Sequence, residues 1–421
     1  MGHHANTTRD HSNETSPAPR AGTRAAGAAP GPEALAARLH GTGTTVFAEM
    51  SALALATGSV NLGQGFPDSD GPEAVAEAAV RAIREGRGNQ YPPGIGIPEL
   101  RHAVAAHQHD WYGLDYDPDT EVLVTAGATE AIAAALLALV NPGDEVIAFE
   151  PYYDSYVACI AMAGGVRVPA TLLAPDRETP RWRPDLDALA ASVTPRTRVL
   201  LINSPHNPTG MVLTEPELRR LARIAVEHDL IVITDEVYEH LVFEGAHTPL
   251  ATLPGMRERT VAVSSGGKTF SFTGWKIGWV TSTPPLVTAV RTAKQFLTYV
   301  SGGPFQFAIA EALALPHAYY DELREGLRAR RDLLAAGLAG LGFGVYATEG
   351  TFFLTTDIRP LGETDGIAFC RSLPERCGVV AIPSAVFYDD KEAGAPYVRF
   401  AFCKQPAVLD EALRRLKSGL R

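Results

Sequence analysis

Cysteine is scarce in this chain: Cys159, Cys370, Cys377 and Cys403 are all that 421 residues contain. They form no CxxC pair and stand at no metal-ligand spacing. A disulfide framework and a cysteine-built metal site are therefore not expected, and the pattern suits a reducing, cytoplasmic setting. Long apolar runs are missing as well, none reaching the length of a membrane span. So is an excess of positive charge. The formal net charge is −11, which repels phosphate over the whole surface and argues against a general nucleic-acid binder, while leaving room for a local basic pocket. What remains is a globular composition, 46% hydrophobic and 20% charged, in a chain long enough for a large domain with a smaller companion.

Residues 1–32 are rich in Ala, Gly, Pro, Ser and Thr and lack the apolar stretch of a secretory signal. They read as a disordered extension, with a targeting role as the alternative. From about residue 120 short apolar runs alternate with helical patterns: EVLVTAG (121–127), VIAFE (146–150), RVLLINSP (198–205), LIVITDEVY (230–238) and TVAVSSGG (260–267). Apolar strands with intervening helices predict an α/β fold with a mainly parallel sheet and right-handed crossovers. Ligands collect beyond the carboxyl ends of such strands. The segments there, GATEA, SPHNPTG, DEVYEH and SSGGKTF, are all polar or Gly-rich and point to one shared site. After about 310 a charged helical stretch leads to FGVYATEGTFFLTTDI, VVAIPSAVF and PYVRFAFCK, a pattern that predicts a smaller α+β domain. Residues 33–60 would join it from the N-terminal side, leaving 61–310 as the large domain and 311–421 as the C-terminal part of the small one.

The segment SSGGKTFSFTGWK (264–276) holds two lysines, Lys268 and Lys276, with three readings. As a nucleotide phosphate loop, GGKT would end a GxxxxGK[ST] motif, but the leading glycine would fall at Ala262. A solvated surface loop is the bland reading. The third is a nucleophilic amine, which needs a shielded or cation-flanked lysine. Lys276 supplies such a cation and, with the Ser265 hydroxyl, a contact for a cofactor phosphate. Asp235, at the end of a very apolar strand, suits the carboxylate that keeps a pyridine nitrogen protonated.

In this order SPHNPTG, TDEVY and SSGGKTFSFTGWKIGW resemble the signature segments of the class I aminotransferases, the fold-type-I enzymes that use pyridoxal 5′-phosphate. The likeness runs from about residue 33 to the C-terminus. VNLGQGFPD and NQYPPG are similar to segments of the N-succinyldiaminopimelate aminotransferases and of the kynurenine/glutamine transaminases. The resemblance implies a three-layer cofactor-binding large domain and a small domain built from both chain ends. Lys268 would form the Schiff base and shuttle the proton, and Asp235 would pair with the ring nitrogen. Asn207 and Tyr238 would bond the ring's phenolate oxygen, and Tyr152 would stack on the ring, with Tyr153 as its rival. Ala128, Thr129, Ser265 and Lys276 would take the phosphate, Lys276 standing where the family often has arginine. Tyr91 would reach the phosphate of a neighbouring subunit, which implies a homodimer with shared sites.

Arg399, with Asn207 and the backbone of Gly65, would hold the substrate carboxylate, and Phe47 would face the substrate. Gly302 and Gly303 fall where aromatic-substrate relatives carry bulky side chains, so small residues there would widen the pocket. The implied reaction moves an amino group from an amino acid, N-succinyl-diaminopimelate foremost, to a 2-oxo acid such as 2-oxoglutarate. The alternative is a kynurenine/glutamine-type transaminase with cysteine-S-conjugate β-lyase activity. A catalytically silent regulator on the same fold would need a DNA-binding domain, for which the extension offers no helix-turn-helix pattern.

Overall fold

The computed structural model describes residue 2 and residues 35–40, 46–176 and 178–420. The extension expected over residues 1–32 thus lies, apart from Gly2, outside the described residues. Eight strands form the main sheet, in the order Val122–Thr125, Gly278–Thr281, Thr260–Ser265, Ile231–Asp235, Thr197–Asn203, Glu145–Glu150, Val166–Leu173, Arg183–Pro184. The strands from Thr260–Ser265 to Val166–Leu173 are mutually parallel, whereas Gly278–Thr281 runs antiparallel to both its neighbours. The strands are short and apolar because both faces are buried. Val199 and Leu201 point into one apolar cluster with the helices Gly127–Leu139 and Asp154–Met162. Leu200 and Ile202 point into another with the helix Glu215–Glu227. Period-two alternation thus feeds two helical layers from one strand.

Local sequence explains how these helices start. Thr214 and Glu217 form a capping box ahead of Glu215–Glu227, and its apolar face (Leu218, Leu221, Ala222, Ile224, Ala225) is buried. The helix Gly127–Leu139 is mostly Ala and Leu and is buried along much of its length. Register then levels the strand ends. Asn203 pairs with Asp235 and Asp235 with Val263, while Gly278 lies between Thr125 and Ser265.

A second sheet, Gly344–Val345, Phe353–Asp357, Tyr397–Ala401, Ile382–Pro383, is wholly antiparallel. It buries its apolar face with the helices Val46–Thr57, His317–Gly340, Gly366–Cys377 and Pro406–Gly419. Near the N-terminus Val60–Asn61 pairs in parallel with Val379–Val380, which carries the following LGQGF segment to the rim of the main sheet. Among the described residues no helix is long and apolar enough to cross a membrane.

Candidate active site

The carboxyl ends of the main-sheet strands open into a cavity of about 460 Å³ that the small sheet closes from one side. Lys268, Asp235, Tyr238, Asn207, Ser265, Lys276, Ala128, Thr129, Gly65, Phe47 and Arg399 all line it. Residues up to 352 positions apart in number, such as Phe47 and Arg399, are thereby brought to one volume.

Lys268 lies on the short helix Gly266–Thr269 directly after the strand Thr260–Ser265. Its Nζ donates to the Gly65 carbonyl at 3.2 Å and sits 5.5 Å from the Tyr238 ring centroid. Burial pulls the amine from its ordinary 10.5 down to about 8, Lys276 and Arg399 adding to the effect. Asp235 ends its strand with one carboxylate oxygen accepting from the Tyr156 hydroxyl at 2.6 Å. Burial pushes its carboxyl upward, and the Tyr156 bond and Lys268 oppose that rise. Asn203 fixes both sides of this corner, donating to the Asp235 carbonyl at 2.8 Å and accepting from the Asn207 amide at 2.8 Å.

Arg399 comes from the small sheet and is 1% exposed. Its Nη1 donates to Asn207 Oδ1 at 2.8 Å and its Nη2 to the Gly63 carbonyl at 2.9 Å, while Nε has no hydrogen-bond partner among the described residues. Phe353 lies under the guanidinium at 3.9 Å, with Phe387 and Phe47 further out. Among the described residues Arg399, Lys268 and Lys276 make no ion pair. A buried cation with only neutral partners costs several kcal/mol, of order 3–5, until an anion joins it. Burial accordingly lowers the Arg399 guanidinium to about 10.

Lys276 reaches the N-terminus of the helix Gly127–Leu139, where a Cβ on Gly127 would stand 3.2 Å from its Nζ. That approach depends on Gly278, because a Cβ there would fall 2.6 Å from the Gly127 carbonyl carbon and 2.8 Å from the Ala128 nitrogen. Free helix N–H groups, a hydroxyl from Ser265 and an unpaired ammonium make a site for a phosphate-sized anion.

Tyr152 is not at the cavity. Its hydroxyl donates to Asp389 at 3.0 Å and its ring is covered by the Arg167 guanidinium at 4.5 Å. Tyr153 lines the cavity instead, hydrogen-bonded to Thr129 and edge-on to Tyr156. Tyr91 is also elsewhere, 81% exposed and packed on Tyr299. Gly302 and Gly303 do not widen the cavity. They are small because a Cβ on Gly303 would lie 2.3 Å from the Gly88 carbonyl oxygen, and one on Gly302 2.5 Å from Ile277. Sequence reasoning missed Tyr156, Asn203, Asp154, Gln64 and Phe353, all of which line the cavity. Tyr156 had a signal, lying in the first turn of the helix Asp154–Met162 just past the strand end at Glu150.

The sequence and the fold resemble those of known proteins. The family model for aminotransferase class I and II matches residues 57–416. The probable N-succinyldiaminopimelate aminotransferase of Mycobacterium tuberculosis is 56% identical over 388 residues, 90% of this chain and 97% of that protein. The solved structure of the Mycobacterium tuberculosis N-succinyldiaminopimelate aminotransferase superposes with a TM-score of 0.89 at 55% identity, covering 92% of this chain and 100% of that one. The methionine aminotransferase of Escherichia coli is 40% identical over 383 residues, 90% of this chain and 97% of its own. By this agreement in sequence and fold, the chain belongs to the class I and II aminotransferases, a family that generally uses pyridoxal phosphate.

Proposed function

We propose that this transaminase binds pyridoxal 5′-phosphate in the cavity and takes its amino group from an amino acid with a long acylated side chain, of the N-succinyl-diaminopimelate kind. The acceptor is a 2-oxo acid, 2-oxoglutarate foremost. The observation that carries the reading is the set of cavity cations that make no ion pair among the described residues, Lys268, Lys276 and Arg399, in one volume with the buried carboxyl of Asp235. The cofactor's phosphate and the substrate's carboxylate are the charges that set requires, and the unpartnered Arg399 Nε is a further donor left for them.

When bound, pyridoxal 5′-phosphate supplies an aldehyde for the Lys268 amine and a ring that draws electrons from the substrate's α-carbon. The chain supplies the rest. Lys276, Ser265 and the amides of Ala128 and Thr129 hold the phosphate. Asp235, held by Tyr156, keeps a proton on the ring nitrogen, and that positive charge in turn favours its own ionised form. Tyr238 and the Asn207 amide bond the phenolic oxygen. Since Asn207 Oδ1 already accepts from Arg399, its Nδ2 is the side left to donate. Tyr153 takes the stacking role. Arg399, with Asn207 and Gly65, fixes the α-carboxylate, and Lys268 Nζ is the base that takes the α-proton and the acid that returns it.

The substrate preference is supported by the 56% identity to the Mycobacterium tuberculosis relative. Tyr91 and Tyr299, exposed and in contact, support a homodimer in which Tyr91 serves the partner's site. Four free, buried cysteines support a cytoplasmic setting. In this reading residues 33–60 and 311–421 act as one smaller domain that presents Arg399 to the large domain, 61–310.

The test is a panel of donors (N-succinyl-diaminopimelate, methionine, kynurenine, glutamine, aspartate) with 2-oxoglutarate, read as glutamate formed. The succinylated donor is expected to give the highest kcat/KM. Lys268→Ala should lose turnover and the visible absorbance of the lysine-bound cofactor together. No glutamate from any donor, with pyruvate from cysteine conjugates, would make the enzyme a lyase.

A further inference from the structure

Tyr238 reaches the cavity from a turn, residues 236–241, that follows the strand Ile231–Asp235. The next two side chains in that turn, Glu239 and His240, are buried away from the cavity, and each is gripped by another element. Glu239 accepts from the Ser264 hydroxyl at 2.6 Å and from the Tyr112 hydroxyl at 2.8 Å, one donor on each carboxylate oxygen. His240 Nε2 lies 2.7 Å from His107 Nε2. Tyr112 and His107 belong to the helix Pro98–Tyr112, and Ser264 immediately precedes Ser265 and the Lys268 helix.

The tautomers follow from burial. Desolvation lowers the pKa of both imidazoles and favours their neutral forms. His107 Nδ1 has no partner, so a proton there would be an unmet buried donor; His107 therefore donates through Nε2 to His240. The same three side chains gather ligand-competent atoms within 4.8 Å. Their contacts are nevertheless those of hydrogen bonds. Two imidazoles on one zinc stand about 3.3 Å apart at Zn–N bonds of roughly 2.0–2.1 Å, and both Glu239 oxygens are already taken.

We propose that Glu239 and His240, gripped by Ser264, Tyr112 and His107, are positioning residues that hold the Tyr238 phenol in register with the Lys268 helix. This rests on the cofactor assignment made above. A tyrosine on a loose turn would spread over several positions and lose part of its bond to the cofactor's phenolic oxygen. Ser264 and Tyr112 tie that turn to the strand that leads into the Lys268 helix and to a helix outside the cavity. The titratable neighbours of Tyr238 are Asp235, Tyr153, Tyr156, Cys403, Arg399 and Lys268, and none of them is bonded to the Tyr112 hydroxyl, which donates to Glu239.

The experiment measures the pH midpoint of the bound cofactor's visible absorbance in the holoenzyme, for the wild type, Tyr112→Phe, Glu239→Ala, Glu239→Gln and Tyr238→Phe. A donor to the phenolic oxygen lowers that midpoint, so weakening Tyr238 raises it. Tyr112→Phe and Glu239→Ala should shift it upward by about half to one unit, with kcat falling more than KM changes. Glu239→Gln, which can still bond both hydroxyls, should restore most of the wild-type value. In the Tyr238→Phe background, Tyr112→Phe should add no further shift. An unchanged midpoint in Tyr112→Phe, or an equal shift with and without Tyr238, overturns the proposal. If Glu239→Ala fails to fold, Tyr112→Phe, which removes a single oxygen, still decides. A wild type with no cofactor absorbance would instead sink the cofactor assignment itself.

Discussion

At the scale of single residues, the chemistry depends on side chains whose protonation is set by burial. Lys268 is the clearest case. An amine brought from 10.5 down to about 8 has an appreciable neutral fraction at neutral pH. Because the folded value is the lower one, the proton is lost earlier in the native protein than in an exposed lysine. Uptake of pyridoxal 5′-phosphate by the cofactor-free protein should therefore quicken as pH rises through about 8 and level off above it. Stopped-flow absorbance across pH 6–10.5 checks this. A rate still climbing beyond about pH 10 would mean an ordinary lysine. Lys268, Asp235, Asn207 and Arg399, singled out from sequence and brought together at the cavity, sit in contiguous motifs at or near strand ends, where position along the chain fixes direction. Tyr152 and Tyr153 do not. They occupy an irregular turn, where neither period two nor 3.6 applies. Their fates depend on Asp389, Arg167 and Thr129, distant partners with no local signature.

At the scale of elements, the cavity depends on how closely the helix Gly127–Leu139 approaches the neighbouring strand. Gly278→Ala would push a methyl to 2.6 Å from the Gly127 carbonyl carbon. The helix N-terminus must retreat, and overpacking of this kind costs about 1–3 kcal/mol. The expected outcome is a lower melting temperature together with weaker cofactor retention, measured by thermal denaturation and by dialysis against excess buffer. A melt lowered with retention intact would separate packing from anion binding. The alternating strands and helices were legible because both signals repeat locally. Less legible were Gly302 and Gly303, read as room for substrate. What demands Gly303 is a backbone contact with Gly88, more than two hundred positions away, and what demands Gly302 is the Ile277 side chain, contacts which no local pattern reveals.

At the scale of the whole molecule, an apolar surface lies beside the cavity without belonging to it. Tyr91, Phe296 and Tyr299 are 81%, 82% and 49% exposed. Lys294 ties the area together, donating to the carbonyls of Gly94 and Tyr299. Exposed aromatic clusters of this kind mark contact surfaces. Sedimentation should give twice the mass of one chain. Phe296→Glu should shift the population toward single chains and lose activity in parallel, whereas Tyr91→Phe should keep the dimer and weaken cofactor phosphate retention. A fully active single chain would remove both the dimer and the shared site. The family resemblance singled out Tyr91 without showing its surroundings, because a surface patch is assembled from segments that only the fold brings together.

The unpaired cations of the cavity have one more consequence. Lys268 is repelled by both Arg399 and Lys276 across a volume of about 460 Å³, and Asp235 and Asp154 offset this only in part, with no ion pair to any of the three cations among the described residues. The cofactor and the substrate are then not only reactants but the missing counter-ions of the fold. An anion that enters relieves a repulsion already built into the native state, so loading and stability rise together. Each turnover removes one carboxylate and admits another, and the protein passes through its least comfortable charge state every time product leaves.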